Sequence, residues 1–297
     1  MSDPGRLFIV ATPIGNLEDI TLRALRTLRE ADLIAAEDTR RTRKLLAHYD
    51  IHTRLRSYHS HNIAQTAPPI LDAVAQGQAV ALVTDAGLPG VSDPGREIIA
   101  MARERGLPVE IVPGPSAVVT AFVSAAFPGE GFVFVGYLPS RDADRRRVLA
   151  ELRGAQRAAV AFEAPHRLRR SLRDIAALLG EEQRVAVVRE MTKVHEETFV
   201  GSAREAAEHY SAGEPKGEVT LVIGPAAPAE GGADDLSAVR DLAAALVAMG
   251  LPPSAVARLL AEHLHVRRGV LYEQLKADRG PRTEDRGPKA RDRRPAT

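Results

Sequence analysis

The chain has 297 residues, 44% of them apolar and 27% charged, with a net charge of +1 and no cysteine. That length exceeds one ordinary core and points to two domains with a small appendage, and the composition excludes a disordered or fibrous class. Disulfides and thiolate-bound zinc are excluded, and with no basic leader before "LFIVATPI" and no window near ~18 apolar residues, neither export nor a membrane span is expected, leaving the cytoplasm.

The first apolar run, Leu7 to Ile14, reads as a strand. In "TLRALRTLREA", which follows, Leu22, Leu25 and Leu28 share one helical face with arginines opposite. Strands are expected again at Leu33 to Ala36, Val80 to Val83 and Val109 to Val112, with helical stretches between them. This alternation predicts an α/β domain over 1–114 with a mostly parallel sheet. Beyond Pro113 to Pro115 a second, similar layer is expected over 115–226. Its strands fall at Phe132 to Val135, Ala158 to Phe162, Val185 to Val188, Thr198 to Val200 and Val219 to Ile223, and its helices near Arg145 to Leu152, Leu168 to Leu179 and Ala203 to Tyr210. "PAAPAEGGADD" then reads as an exposed linker. Three short helices follow within 235–277, at Asp235 to Met249, Ser254 to Leu264 with Ser254 as N-cap, and Gly269 to Leu275, a spacing that suits a helix-turn-helix. Residues 278–297 carry proline and charge with almost no apolar content, and are expected to form a disordered basic tail.

Ligands of open α/β sheets bind beyond the carboxyl ends of strands. Four ends here are unusual: "TPIGNLEDIT", "AEDTRRTRK", "TDAGLPGVSDPG" and "VPGPSA". Each alone is ordinary turn and cap chemistry, but four together point to a ligand approached by backbone. "ATPIGNLED" has one glycine where a dinucleotide fingerprint needs three, and no P-loop or H-E-x-x-H is present, so nicotinamide, flavin, P-loop triphosphate and metal sites are not expected. His59 and His61 fit hydrogen bonding or RNA contact better than metal ligation. Asp85 or Asp93 could hydrogen-bond such a ligand, but Asp93, ahead of Pro94 and a helical stretch, is expected instead to be an N-cap.

Charge is unevenly spread. Thr39 to Ser57 holds six Lys/Arg against one Asp, and Arg141 to Arg157 six Arg against three acids. Such runs are either solvated helix faces or a footprint for a polyanion.

"FIVATPIGNLEDITLRALRTLREADLIAAEDTRRTRKLL", "VTDAGLPGVSDPG", "VPGPSA", "FEAPHRL" and "VREMTKVHEETFVG" together resemble the ribosomal RNA small subunit methyltransferase I family of the tetrapyrrole-methylase (class III) group. The likeness runs in register from about Leu7 to Ile223. It implies a two-domain α/β fold with S-adenosylmethionine in the interdomain cleft, a small C-terminal helical unit, a homodimer, and methyl transfer to the ribose 2'-hydroxyl of a cytidine in the decoding centre of 16S rRNA or the small ribosomal subunit. Motif by motif, it implies cofactor contacts from Pro13, from Thr84, Asp85, Ala86 and Gly87 with Val91 closing over them, from Ser116 and Ala117, and from Glu163 and Met191. "TPIGNLED" departs from the G-x-G-P-G-D loop of the tetrapyrrole enzymes, which argues against a porphyrin-type substrate.

In-line methyl transfer demands alignment above all. A base can assist, and Glu37, Asp38, His59, Glu190 and Glu197 are candidates, Glu190 first because it adjoins Met191. RNA contacts are expected from Arg40, Arg41, Arg43 and Lys44, and from Arg167, Arg169 and Arg170, because guanidiniums suit phosphates and bases. Aromatic residues are only 4% of the chain, which favours recognition of shape and backbone in a structured target. Two other readings stay open at this point. One is a methylase of a tetrapyrrole or other small metabolite, and the other a non-enzymatic regulator whose C-terminal helices read DNA.

Overall fold

The computed structural model describes residues 5–58, 63–129, 131–213, 215–226 and 242–264. Strands β1 (Arg6–Val10), β2 (Leu33–Ala36), β3 (Leu55–Ser57), β4 (Ala79–Val83) and β5 (Val109–Val112) form a sheet in the order β3-β2-β4-β1-β5. Every pairing in it is parallel. Near-continuous apolar strands imply cover on both faces, and both are covered. Helices α1 (Leu22–Glu30) and α2 (Thr39–His48) pack Leu25, Leu28, Leu45 and Leu46 on one face. Helices α3 (Ile63–Ala75) and α4 (Arg96–Glu104) pack Ile70, Leu71, Val74 and Ile98 on the other. Each such side chain contributes roughly 1.5–3 kcal/mol on burial.

Three details differ from expectation. β1 stops at Val10 because Thr12 leaves the ladder and exchanges backbone hydrogen bonds of 2.9 and 3.0 Å with Gly87. Leu22 is 87% exposed, since six residues from Leu28 turn it about 120° off the buried face. β3 was not expected at all, because an edge strand of three residues with Arg56 at its centre carries little apolar signal.

The second sheet joins β6 (Phe132–Tyr137), β7 (Ala158–Glu163), β8 (Arg184–Arg189), β9 (Glu197–Ser202) and β10 (Val219–Ile223) in the order β6-β7-β10-β8-β9. It is not a copy of the first. Only β6 and β7 run parallel, and the other three pairings are antiparallel. The β8–β9 link spans only 190–196, too short for the crossover that parallel strands require. Helices α6 (Asp142–Glu151), α7 (Leu168–Leu179) and α8 (Ala203–His209) cover one face through Leu149, Leu172, Ile175 and Ala206. Helix α5 (Ala117–Ala125) covers the other with Val118, Ala121 and Ala125, and Ile14 from the loop after β1 joins the same cluster.

The basic run Arg141 to Arg157 is not a free anion footprint. Arg145 is 1% exposed and its guanidinium meets Asp174 at 2.6 and 2.9 Å and Asp142 at 3.1 Å. Arg146 pairs with Asp174, Arg147 with Asp144, and Arg153 donates to the Leu178 carbonyl. The run pins α6 to α7, and removing one partner of a buried pair of this kind costs about 3–5 kcal/mol.

Residues Met1–Ala227 form one compact unit and Pro228–Thr297 another. Within the second, α9 (242–248) and α10 (Pro253–Leu264) share a small core of Ala243, Val256, Ala257 and Leu260. Ser254 is not the N-cap of α10 but lies inside it, because Pro253 already occupies a first-turn position where its missing N–H is harmless. The expected helix Gly269 to Leu275, the tail 278–297, His59 and His61 lie outside the described residues. Among the described residues no helix is long and apolar enough to cross a membrane.

Candidate active site

The loops after β1, β2 and β4 meet the end of β7 and the beginning of β10 around a cleft with two adjoining lobes of about 290 and 400 Å³. Ile14, Arg41, Asp85, Ala86 and Glu218 border both lobes. The halves are joined where Asn16 donates its N–H to Thr192 Oγ1 at 2.9 Å. A Cβ on Gly15 would lie 2.5–2.7 Å from Thr192, Met191 and Lys193, so only glycine allows this approach.

Most of the residues expected at the cofactor come together here. Pro13 and Thr84 line the smaller lobe. Val91, Ala117, Glu163 and Met191 line the larger, and Asp85 and Ala86 line both. Gly87 supports the site from behind through its bridge to Thr12. Ser116 caps α5, accepting the Val119 N–H at 3.4 Å, and faces a small hollow that shares Val91, Ala117 and Phe162 with the larger lobe. Glu163 is fully engaged: it accepts from Arg167 at 2.7 Å, from Ser171 and from the Ala164 N–H.

Thr84 is 2% exposed, and its Oγ1 has no partner among the described residues. An orphaned hydroxyl of this kind is costly unless a ligand completes it. Thr12 donates to the Thr84 carbonyl at 3.1 Å and so holds that strand end in place. A polar, flexible ligand with hydroxyl or amide groups fits this wall. Among the described residues no cluster of three or more His, Cys, Asp or Glu is arranged to hold a metal.

The loop from Asp85 to Gly95 is shaped by backbone. Gly95 has φ 151, and a Cβ there would come 3.0 Å from the Gly90 nitrogen. Gly95 is also the N-cap of α4, with no side-chain cap, so Asp93 does not cap the helix as expected. Two residues, Pro94 and Gly95, separate it from the first turn. Asp93 lines the larger lobe instead. Burial raises its carboxyl to about 6, helped by the charges of Glu37, Asp85 and Glu218. Burial also raises the hydroxyl of Tyr137, on the same wall, with Asp93 adding to it.

Glu190 sits elsewhere. It has φ 50, and its Oε1 accepts from Lys193 at 2.8 Å and from the Glu218 N–H at 2.9 Å. The Lys193 hydrogen bond holds its carboxyl below the usual range, and it lines a different hollow. Glu197 faces that hollow too, bound to Arg189, His209 and Tyr210. Asp38 caps α2 and forks onto Arg40 at 2.9 and 3.2 Å, a hydrogen bond that holds its carboxyl far below the usual range. Glu37 borders the larger lobe and accepts from the Asp85 N–H at 3.5 Å.

Of the expected RNA contacts, Arg41 and Lys44 border the cleft and Arg43 is exposed beside them on α2. Arg40 is tied to Asp38. Arg167 is 17% exposed and committed to Glu163, which removes it from the free cations. Arg169 lines a hollow between α7 and α8, and Arg170 pairs with Asp142 at 3.2 Å, neither bordering the cleft. Sequence reasoning gave Asp93 to the helix cap and missed Tyr137, Phe162, Glu218 and Thr220, all five on the larger lobe. Attention to strand carboxyl ends could not find the last two. Antiparallel β10 begins where β7 and β8 end, pairing Val219 with Glu163 and Arg189.

This fold and its cleft define a class. The family described as Tetrapyrrole (Corrin/Porphyrin) Methylases matches residues 6–207, and the fold resembles uroporphyrin-III-C-methyltransferase from Thermus thermophilus. That likeness has a TM-score of 0.55 and 20% identity over 74% of this chain and 94% of that one. Two relatives are named ribosomal RNA small subunit methyltransferase I. The one from Synechocystis sp. is 42% identical over 92% of this chain and 99% of its own. The one from Thermotoga maritima is 48% identical over 74% of this chain and 98% of its own. The chain belongs to the ribosomal RNA small subunit methyltransferase I family and is a methyltransferase.

Proposed function

We propose that the protein transfers a methyl group from S-adenosylmethionine to the ribose 2'-hydroxyl of a cytidine in the decoding centre of 16S rRNA. The observation that carries this reading is the placement of a backbone-shaped cleft, with the orphaned Thr84 hydroxyl in its wall, directly beside the cationic helix α2. Bound there, the sulfonium supplies an electrophilic methyl group. The chain's own task is positioning: Pro13, Thr84, Asp85 and Ala86 shape one wall, and Val91, Ala117, Glu163 and Met191 the other. Arg41 and Lys44 at the rim, with Arg43 beside them, engage the RNA backbone.

The boundary at 114/115, a homodimer and a cytoplasmic location belong to the same reading. It is tested by incubating the full chain with labelled S-adenosylmethionine and either small ribosomal subunits, naked rRNA or a porphyrin. Label is expected in the ribose of 16S rRNA. Label in the porphyrin alone would turn the reading toward a small metabolite.

A further inference from the structure

The cleft holds several carboxylates, and all but one have work to do. Asp85 accepts from the Asp38 N–H at 3.1 Å and pairs with Arg41 at 3.5 Å. Glu163 is bound to Arg167 and Ser171, and Glu218 to Lys193 at 2.9 Å. Glu37 accepts from the Asp85 N–H. Among the described residues no donor meets Asp93. The backbone delivers it into the lobe: Ser92 takes φ 62, and Pro94 and Gly95 turn the chain away before α4 begins.

We propose that Asp93 is the general base that takes the proton of the substrate hydroxyl. The proposal rests on the methyltransfer reading above. As the hydroxyl oxygen bonds the donor's methyl carbon, its O–H bond breaks and the proton passes to an Asp93 Oδ. The bond from that carbon to sulfur breaks at the same time, and its electron pair stays on sulfur as a neutral thioether.

The surroundings suit this role. Facing Asp93 are Glu37 from the end of β2, Arg41 from α2, Asp85 after β4, Tyr137 from β6, the Glu163–Arg167 pair and Glu218 at the head of β10. Partial burial, with net negative charge adding to it, brings the carboxyl to about 6. A base accepts protons best when it titrates near the working pH. Glu190 and Asp38 are held the other way, by Lys193 and Arg40, and are weaker proton acceptors.

The test uses the full chain, small ribosomal subunits and labelled S-adenosylmethionine under single-turnover conditions. Asp93→Asn is expected to slow labelling by roughly a hundredfold while calorimetry gives a donor affinity within about threefold of wild type, as expected for a group outside donor binding. The wild-type rate is expected to fall as pH drops below about 6, and the variant is expected to lose that dependence. Carbon-13 NMR of the free protein is expected to show one aspartate carboxyl titrating at about 6 that is absent from the variant.

Stability supplies a further readout. The unfolded carboxyl titrates near ~3.9, so the fold loses stability as pH rises from there to about 6 and carries the full penalty above it. Asp93→Asn is therefore expected to raise Tm at pH 7.5, where a merely structural aspartate would lower it. A rate loss below tenfold, an unchanged pH profile, or transfer of the whole effect to Tyr137→Phe would overturn the proposal. If wild type binds the donor yet labels no subunit, the underlying reading fails and takes the base with it. That signature differs from failure of Asp93 alone, in which wild type and Asp93→Asn label subunits equally.

Discussion

Thr84 shows what a single atom in the wall can mean. Its Oγ1 is buried without a partner among the described residues, while the Thr12 hydroxyl is satisfied. Thr84→Val is expected to leave folding stability unchanged or raise it, because it removes an uncompensated polar group. The same change is expected to weaken S-adenosylmethionine about three- to tenfold, the worth of one neutral hydrogen bond. Calorimetry alongside thermal melts checks both signs at once, and equal donor affinity would detach Thr84 from the ligand. At this scale the sequence was legible where glycine and proline dictate backbone, as in the loop from Thr84 to Gly95. It was not legible where a partner decides the role. Nothing in "VREMTK" says that Lys193 occupies Glu190, and nothing in "VSDPG" says that Gly95, not Asp93, caps α4.

Helix α2 carries the electrostatic case. It buries Thr42, Leu45 and Leu46 and leaves Arg41, Arg43 and Lys44 on the outer side, while Arg40 is held by Asp38. Changing Arg41, Arg43 and Lys44 together to alanine is expected to reduce the salt dependence of subunit binding by about 0.7–0.9 per lost phosphate contact. Binding titrations from low to moderate salt measure the slope, and an unaltered slope would place the RNA on another face. Helix α6 has the same kind of arginine-rich sequence and the opposite fate, its Arg145 drawn under α7 by Asp174. Composition cannot separate the two helices. The distinction lies in whether an acid from a neighbouring element reaches the run, which only tertiary packing reveals.

The whole molecule divides after Ala227. A chain ending at residue 226 keeps both sheets and every cleft residue named above, and is expected to bind S-adenosylmethionine with near-native affinity. Loss of donor binding in that truncation, measured by calorimetry on a folded sample, would mean that the C-terminal helices complete the cleft. The parallel half was legible because its strands are apolar runs separated by amphipathic helices. The second half misled because apolar periodicity is blind to strand direction, so the reversal of β10 and the β8–β9 hairpin went unseen.

The seat of β10 has one more consequence. The last strand to be made lies in the middle of its sheet, between β7 and β8. While a ribosome is still short of Ile223, that sheet has a gap at its heart and two raw edges, a template for wrong pairing. The nascent chain can therefore assemble its first sheet early, but it gains a complete pocket only when synthesis of this unit is nearly over. Catalytic competence arrives late and all at once.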